Sequence, residues 1–396
     1  MAKRTIVSMP GDGIGKTVLP ETIRVLEAAG FEADYVHADI GWEFWCKEGN
    51  PLPQRTLDIL EKHKIALFGA ITSKPKAEAA KELDPALADK GFVYYSPIVG
   101  LRQHFNLDIC TRPCKTFKGN PLNFIRKGKG DTIEEPEVNA VIFRQNTEGL
   151  YGGVEWTNPP DNVYEALNTH PKMKNFAGVP KEELAISTRI YTKNAVTRIL
   201  RAAFEYAKKF GYTNVTVCEK PNVIRETSGM MLSMAREMVK EYPGIELWDT
   251  NIDAQMMWLT KNPENYGVLV SGNMFGDIVS DGFAGLIGGL GFACSANIGE
   301  EVAIFEPTHG SAPKYETYDP SIVNPIAMVM SACMMLDHIN ETAIADRIRA
   351  AIAAVVLEGK VKTYDMMKLR GSQEALKQGA ASTTEMADAI IAQLKK

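Results

Sequence analysis

Short runs of β-branched and aromatic residues alternate with stretches of helical apolar spacing along much of this chain. That order limits its fold more than any other feature. "TIVSM" at 5–9 precedes "TVLPETIRVLEAAG" at 17–30, whose apolar residues recur at three- and four-residue intervals. "ADYVHAD", "RTLDILEKH" and "KIALFGA" continue the alternation. It resumes at "NVTVCE", "IRETSGMMLSMAREMVKEY", "IELWDT" and "YGVLVSGN", and two long helical patterns follow over 324–340 and 343–358. Strand and helix taken in turn define the α/β class. No internal repeat is present, and the pattern weakens only across 151–185, a proline- and asparagine-rich stretch that reads as an exposed loop or a dimerisation arm.

A chain of 396 residues exceeds what one simple core organises, so two subdomains are expected. Hydrophobic residues at 45% with 23% charged residues fit a globular enzyme and carry no signature of disorder. A net charge of −5 argues against a general nucleic-acid binder, which neutralises phosphates with a basic surface. An anionic substrate would therefore need a local basic cluster. The opening "MAKRTIVSMPGDGIG" enters a strand pattern without the apolar run and cleavage site of a signal peptide, which predicts a cytoplasmic protein. "IAMVMSACMML", from Ile326, falls short of the ~18 residues of a membrane span and reads as a buried helix, so no membrane partner is expected. Cys46, Cys110, Cys114, Cys218, Cys294 and Cys333 form no Cys-x-x-Cys pair, which disfavours structural zinc and a disulfide framework.

The stretch "GNMFGDIVSDGFAGLIGGLG" at 272–291 sets Asp277 and Asp281 four residues apart among glycines and hydrophobes. In a helix entered after Gly276, the two carboxylates share a face, about 6 Å apart along the axis. A cation between them would offset their repulsion, and Mg²⁺ or Mn²⁺ favours oxygen ligands. A helix cap beside a solvated aspartate accounts for the stretch equally well. "PGDGIGKT" sits between strand and helix, where turn amides can receive an anion. Its evenly spaced glycines miss the Rossmann fingerprint, and Pro10 stands where a P-loop needs glycine. A turn that merely brings helix close to sheet is the simpler reading.

"SPIVGLRQHFNLDICTRP" and "VIFRQNTEGLYGG" supply Arg102, Arg112 and Arg144 at strand or helix ends. Arginine's planar fork suits carboxylates, so three of them together suit a small polycarboxylate, although a single arginine is more often solvated surface. Tyr151, in a glycine-rich turn seven residues after Arg144, is either a proton donor or a packed aromatic.

Taken in order, "PGDGIG", "LRxxxxLDIxxRP", "FRQNTEGLYGG", "CEKPN", "WDTNIDA", "GNMFGDIVSDG" and "THGSAPKY" resemble the β-hydroxyacid oxidative decarboxylases, which include isocitrate, homoisocitrate and 3-isopropylmalate dehydrogenases. The resemblance spans nearly the whole chain. It implies that Asp277 and Asp281 hold the Mg²⁺ or Mn²⁺, with Asp253 completing the site from the other subunit of a homodimer. Arg102, Arg112 and Arg144 would grip substrate carboxylates, Ser96 would add a hydroxyl, and Lys220 and Tyr151 would move protons. The bound metal would acidify the C2 hydroxyl and stabilise the enolate left when carbon dioxide departs. A silent regulatory subunit of the family would have lost such residues, whereas Tyr151, Lys220 and all three aspartates are present here.

By the same resemblance, the fold is a large discontinuous α/β domain (1–107 and 289–396), a smaller α/β domain (108–148 and 194–288) and a dimerisation clasp (149–193). "NTEGLY" resembles the isocitrate and homoisocitrate branches rather than the isopropylmalate branch, and "GGVEW", "HGSAPKY" and "TYDMMK" resemble isocitrate dehydrogenases of the bacterial NADP type. The implied reaction is oxidation of isocitrate to 2-oxoglutarate and CO₂. Homoisocitrate is the alternative: the isocitrate pattern has asparagine where this chain has Ile98, and "SPIVGLR" resembles homoisocitrate-type enzymes. A 3-isopropylmalate or other malate-type substrate is the remaining option. Lys314 and Tyr315, with Tyr364 and Lys368, would form the NADP 2′-phosphate site, and Thr72, His309, Gly310 and Asn324 would meet the rest of the cofactor. The segment 74–95 is longer than the usual loop before the substrate serine.

Overall fold

The computed structural model describes residues 3–396. Ten strands form one continuous sheet: β1 (Arg4–Gly11), β2 (Ala33–His37), β3 (Ile65–Ala70), β4 (Ile109–Lys115), β5 (Asn139–Gln145), β6 (Asn214–Glu219), β7 (Glu246–Asn251), β8 (Val268–Ser271), β9 (Cys294–Ile298) and β10 (Ala303–Pro307). Their spatial order is β7-β6-β8-β5-β4-β9-β10-β3-β1-β2. Both wings are parallel, as strand–helix alternation requires. The middle is antiparallel, because β4 pairs with β5 and β9, and β9 turns back on β10. These central strands carry Arg112 and Arg144.

Alternation along the strands divides the apolar residues between the two faces. Ile6 joins one core while Val7 and Met9 join another, as period-two strands dictate. The principal helices are α1 (Gly15–Ala28), α2 (Pro97–His104), α3 (Lys193–Phe210), α4 (Thr227–Met238), α5 (Ile252–Lys261), α6 (Asn273–Leu286), α7 (Ile326–His338), α8 (Thr342–Glu358) and α9 (Thr383–Leu394). The apolar run read as a buried helix is α7, which packs on β9 and β10. Helix α3 shows how its limits are set: the Thr192 side chain accepts from the Ala195 amide, and Gly211 closes the helix in the left-handed conformation. Between them, Val196, Ile199, Leu200, Ala203 and Phe204 form the face buried against β5, β6 and β8. Among the described residues, no helix is long and apolar enough to cross a membrane.

The glycine-rich turn has the simpler of its two roles. The amides of Asp12, Ile14 and Gly15 donate to Ala70, Ser311 and Asp12 carbonyls, which leaves none of the three for an anion. Gly13 is needed because its φ is +52° and an added Cβ would lie 2.1 Å from the Ser311 carbonyl oxygen. The long 74–95 segment is also tied down. Trp45 Nε1 donates to the Ala79 carbonyl (2.9 Å), Trp42 Nε1 to Glu82 (2.7 Å), and Tyr94 packs edge-on against both indoles.

Candidate active site

Arg144 lies near the end of β5, and Arg112 lies in the interior of β4 rather than at a strand end. Both are buried, at 4% and 8% exposure. Helix α6 begins at Asn273, four residues earlier than the sequence suggested, and it points Asp277 and Asp281 at the arginines. Arg112 Nη1 donates to Asp277 Oδ1 (3.1 Å), Asp281 Oδ1 (3.4 Å) and Ser280 Oγ (2.7 Å). Arg144 Nη1 donates to the same Asp277 oxygen, while its Nε and Nη2 reach Asn273 Oδ1 at 3.0 and 2.8 Å. The early helix start thus puts Asn273 and Asp277 on one face, where they hold one guanidinium.

Arg102 in α2 joins from the other side. Its Nε donates to Asn297 Oδ1 (3.1 Å) and its Nη2 to Glu306 Oε1 (3.3 Å). The three guanidiniums feel one another. Burial, then the charge of Arg112 and, more weakly, Arg102, lower the Arg144 pKa to about 10 against the opposing pull of Cys110 and Asp277. Arg112 Nε is buried without a hydrogen-bond partner. Burial raises the Asp281 carboxyl above its ordinary value, with Asp277 adding to the shift and Arg112 and Arg144 opposing it. This is a cluster of three guanidiniums edged by two carboxylates, a chemistry suited to an acid bearing several carboxylates and to a hard cation.

The remaining expected residues fall into two groups. Tyr151 is 54% exposed, with the Arg144 guanidinium 5.8 Å from its ring centroid, and Ser96 is the residue preceding α2. Lys220 Nζ donates to Asp253 Oδ1 at 2.5 Å. Asp253 does not join Asp277 and Asp281: among the described residues, no three His, Cys, Asp or Glu side chains form a metal-ligating group. Several of the residues expected to meet a cofactor lie near 309–315. Thr72 Oγ1 lies 2.7 Å from Ser311 Oγ, Lys314 Nζ sits 4.5 Å over the Tyr315 ring, and Tyr315 and Tyr364 rings lie 5.8 Å apart. Asn324 Nδ2 donates to Asp365 Oδ2 (3.2 Å), and Lys368 is exposed on the turn after Tyr364. His309 Nδ1 is 3.1 Å from the Gly310 carbonyl and its Nε2 is buried without a partner; burial lowers its pKa.

Sequence reasoning missed Asn273, Asn297 and Glu306, which hold the arginines in place. Asn273 was within reach, since it stands four residues before Asp277. Asn297 and Glu306 come from β9 and β10, whose mixed polar pattern gave no strand signal.

The chain belongs to the isocitrate/isopropylmalate dehydrogenase family, whose sequence profile matches residues 5–390. It is therefore an enzyme of the β-hydroxyacid oxidative decarboxylases, whose members use a divalent metal and a nicotinamide dinucleotide. A homoisocitrate dehydrogenase of Methanocaldococcus jannaschii is 38% identical over 89% of this chain and 90% of its own length. Protein DlpA of Legionella pneumophila is 37% identical over 98% of this chain, which spans 58% of that protein. The crystal structure of isocitrate dehydrogenase from Methylococcus capsulatus superposes with a TM-score of 0.80 at 36% identity, covering 99% of this chain and all of that one.

Proposed function

We propose that this chain is an NADP-dependent isocitrate dehydrogenase that acts as a homodimer with shared active sites. The observation that carries the reading is the convergence of Arg102, Arg112 and Arg144 beside Asp277 and Asp281. Three guanidiniums match a tricarboxylate in charge and in bidentate geometry. Asp277 and Asp281 offer the hard oxygen donors that Mg²⁺ or Mn²⁺ favours, and both approach one Arg112 nitrogen, so their oxygens already converge. When bound, the ion polarises the substrate's C2 hydroxyl and adjacent carboxylate, and the nicotinamide accepts the hydride. Lys220 takes the hydroxyl proton, and Tyr151 delivers a proton to the carbon that loses carbon dioxide.

The third carboxylate, Asp253, comes from a second copy of the chain. Trp248, Met257, Trp258 and Ile278 are each 37–48% exposed and lie near Asp253 or Asp277 in the chain, the kind of surface apolar group that an interface covers. The same account divides the chain into a body of 1–107 and 289–396, a smaller domain, and the 149–193 clasp. The 2′-phosphate of NADP would meet Lys314, Tyr315, Tyr364 and Lys368, with Thr72, His309, Gly310 and Asn324 along the rest of the dinucleotide.

One observation favours homoisocitrate instead: Ile98 is a partly buried hydrophobe packed on the core of β1 and β3, so it offers the distal carboxylate no polar partner. The test is a matrix of isocitrate, homoisocitrate and 3-isopropylmalate against NADP and NAD with Mg²⁺. Isocitrate with NADP is expected to give the highest kcat/KM and to release carbon dioxide. A preference for 3-isopropylmalate would overturn the substrate assignment, and a preference for NAD would overturn that of the cofactor.

A further inference from the structure

Glu219, the last residue of β6, is fully buried and plays no part in the site described above. Its oxygens take four donors. Oε1 accepts from the Tyr191 hydroxyl (3.0 Å) and the Gly272 amide (2.8 Å), and Oε2 accepts from Arg189 Nη2 (2.7 Å) and the Ser228 hydroxyl (2.5 Å). An ionised carboxylate has about four acceptor positions, so this one is filled. The donors are filled in turn: Ser228 Oγ accepts from Arg189 Nη1 (3.1 Å) and the Lys220 amide (3.3 Å), and the Tyr191 hydroxyl accepts from Arg189. The Arg189 guanidinium also lies over the Tyr191 and Phe275 rings, at 4.7 and 4.9 Å from their centroids.

These donors tie Glu219 to the start of α6, to Lys220 through Ser228, and to the segment that leads back to Tyr151. Gly272 caps α6, the helix of Asp277 and Asp281. Lys220 follows Glu219 directly. Arg189 and Tyr191 lie on the segment returning from the clasp, where Ile190 bridges to Gly149, two residues before Tyr151. The join is close: a Cβ on Gly272 would stand 1.6 Å from the Tyr191 hydroxyl oxygen. A buried ion pair is a poor device for raising stability, since apolar residues of like volume often stabilise as well or better. What this network does supply is a fixed register among three segments.

We propose that Glu219 is a positioning residue whose carboxylate locks the start of α6, Lys220 and the clasp's return segment into one arrangement. The proposal rests on the roles assigned above to Lys220 and α6. It is tested with Glu219→Gln in the full-length protein, because either orientation of the amide turns an NH₂ toward two donors and breaks two of the four bonds. Turnover is expected to fall by about 10- to 100-fold while KM for the acid shifts less than about threefold. Hydrogen exchange at Gly272 and the first turn of α6 should quicken by at least about tenfold, with Val217 and Leu269 unchanged. Tyr191→Phe, which removes one donor and leaves the ring in place, should move both readouts in the same direction by less, and it carries the test if the glutamine variant does not fold. Wild-type kcat together with wild-type exchange at Gly272, or a lower melting temperature with both unchanged, would overturn the proposal. If the wild type turns over none of the three acids, the functional assignment fails, and exchange at Gly272 alone then decides whether Glu219 is the clamp.

Discussion

Arg112 and Arg144 are less than a tenth exposed, and their guanidiniums find Asp277, Ser280 and Asn273 within the same chain. The segment 149–193, the proposed clasp, is built in the opposite way. Its strands Glu155–Thr157 and Ala185–Ser187 pair only with each other, its helix Asp161–Asn168 has no buried residue, and Val154, Phe176 and Ile190 are about half exposed. A lone two-stranded ribbon is marginal in water, so the second region needs a surface to cover it, whereas the first is organised before any ligand arrives. Under the proposed function, the contrast separates two kinds of part: a pre-formed wall that would bind the acid, and an arm and a carboxylate, Asp253, that would be completed by a second copy of the chain.

The largest effect expected from breaking the pre-formed wall is that of Asp277→Asn, which removes a charged ligand and the shared counter-ion of two guanidiniums. Turnover at millimolar Mg²⁺ should drop by about a thousandfold or more, since a Lewis acid of this kind supplies several kcal/mol. Circular dichroism should show the fold retained. Activity that survives both this change and exhaustive chelation would mean that the wall does not face a metal.

Arg144→Met comes next. It deletes hydrogen bonds to a charged substrate group, worth about 1.5–3 kcal/mol, so kcat/KM for the preferred acid should fall by about 10- to 100-fold. Lys at this position would not rescue it, because one ammonium cannot replace the fork that spans Asn273 and Asp277. Lys314→Ala should have the smallest effect. Lys314 is exposed, so losing it should weaken NADP by about tenfold and leave NAD nearly unchanged. Equal kcat/KM changes with the two cofactors would remove Lys314 from the phosphate site.

Legibility in the sequence followed a physical rule. The outer strands β1, β3, β6 and β8 were plain because their residues are apolar and β-branched. The central strands β4, β5, β9 and β10 were not, because they carry the polar residues of the candidate site. Arg112 and Pro113 interrupt β4, Arg144 and Gln145 end β5, and Asn297 and Glu306 place polar side chains inside β9 and β10. Functional residues break the local pattern that makes a strand readable. The two aspartates of α6 were legible as a same-face pair, yet the helix start was not, since its first residue is fixed by a tertiary bond from Arg144 rather than by a local cap. Glu219 stood in the quoted motif "CEKPN", and nothing in the sequence marks a strand-ending glutamate as buried.

The central claim is that a working site combines Asp277 and Asp281 of one subunit with Asp253 of another. It is tested most directly by mixing two inactive variants, Asp277→Asn and Asp253→Asn, under conditions that exchange subunits. In a mixed dimer, one of the two sites would hold only wild-type aspartates, so random exchange should restore about a quarter of wild-type activity. If all three aspartates served a single subunit's site, every site in the mixture would stay damaged, and activity no higher than that of either variant alone would contradict the account.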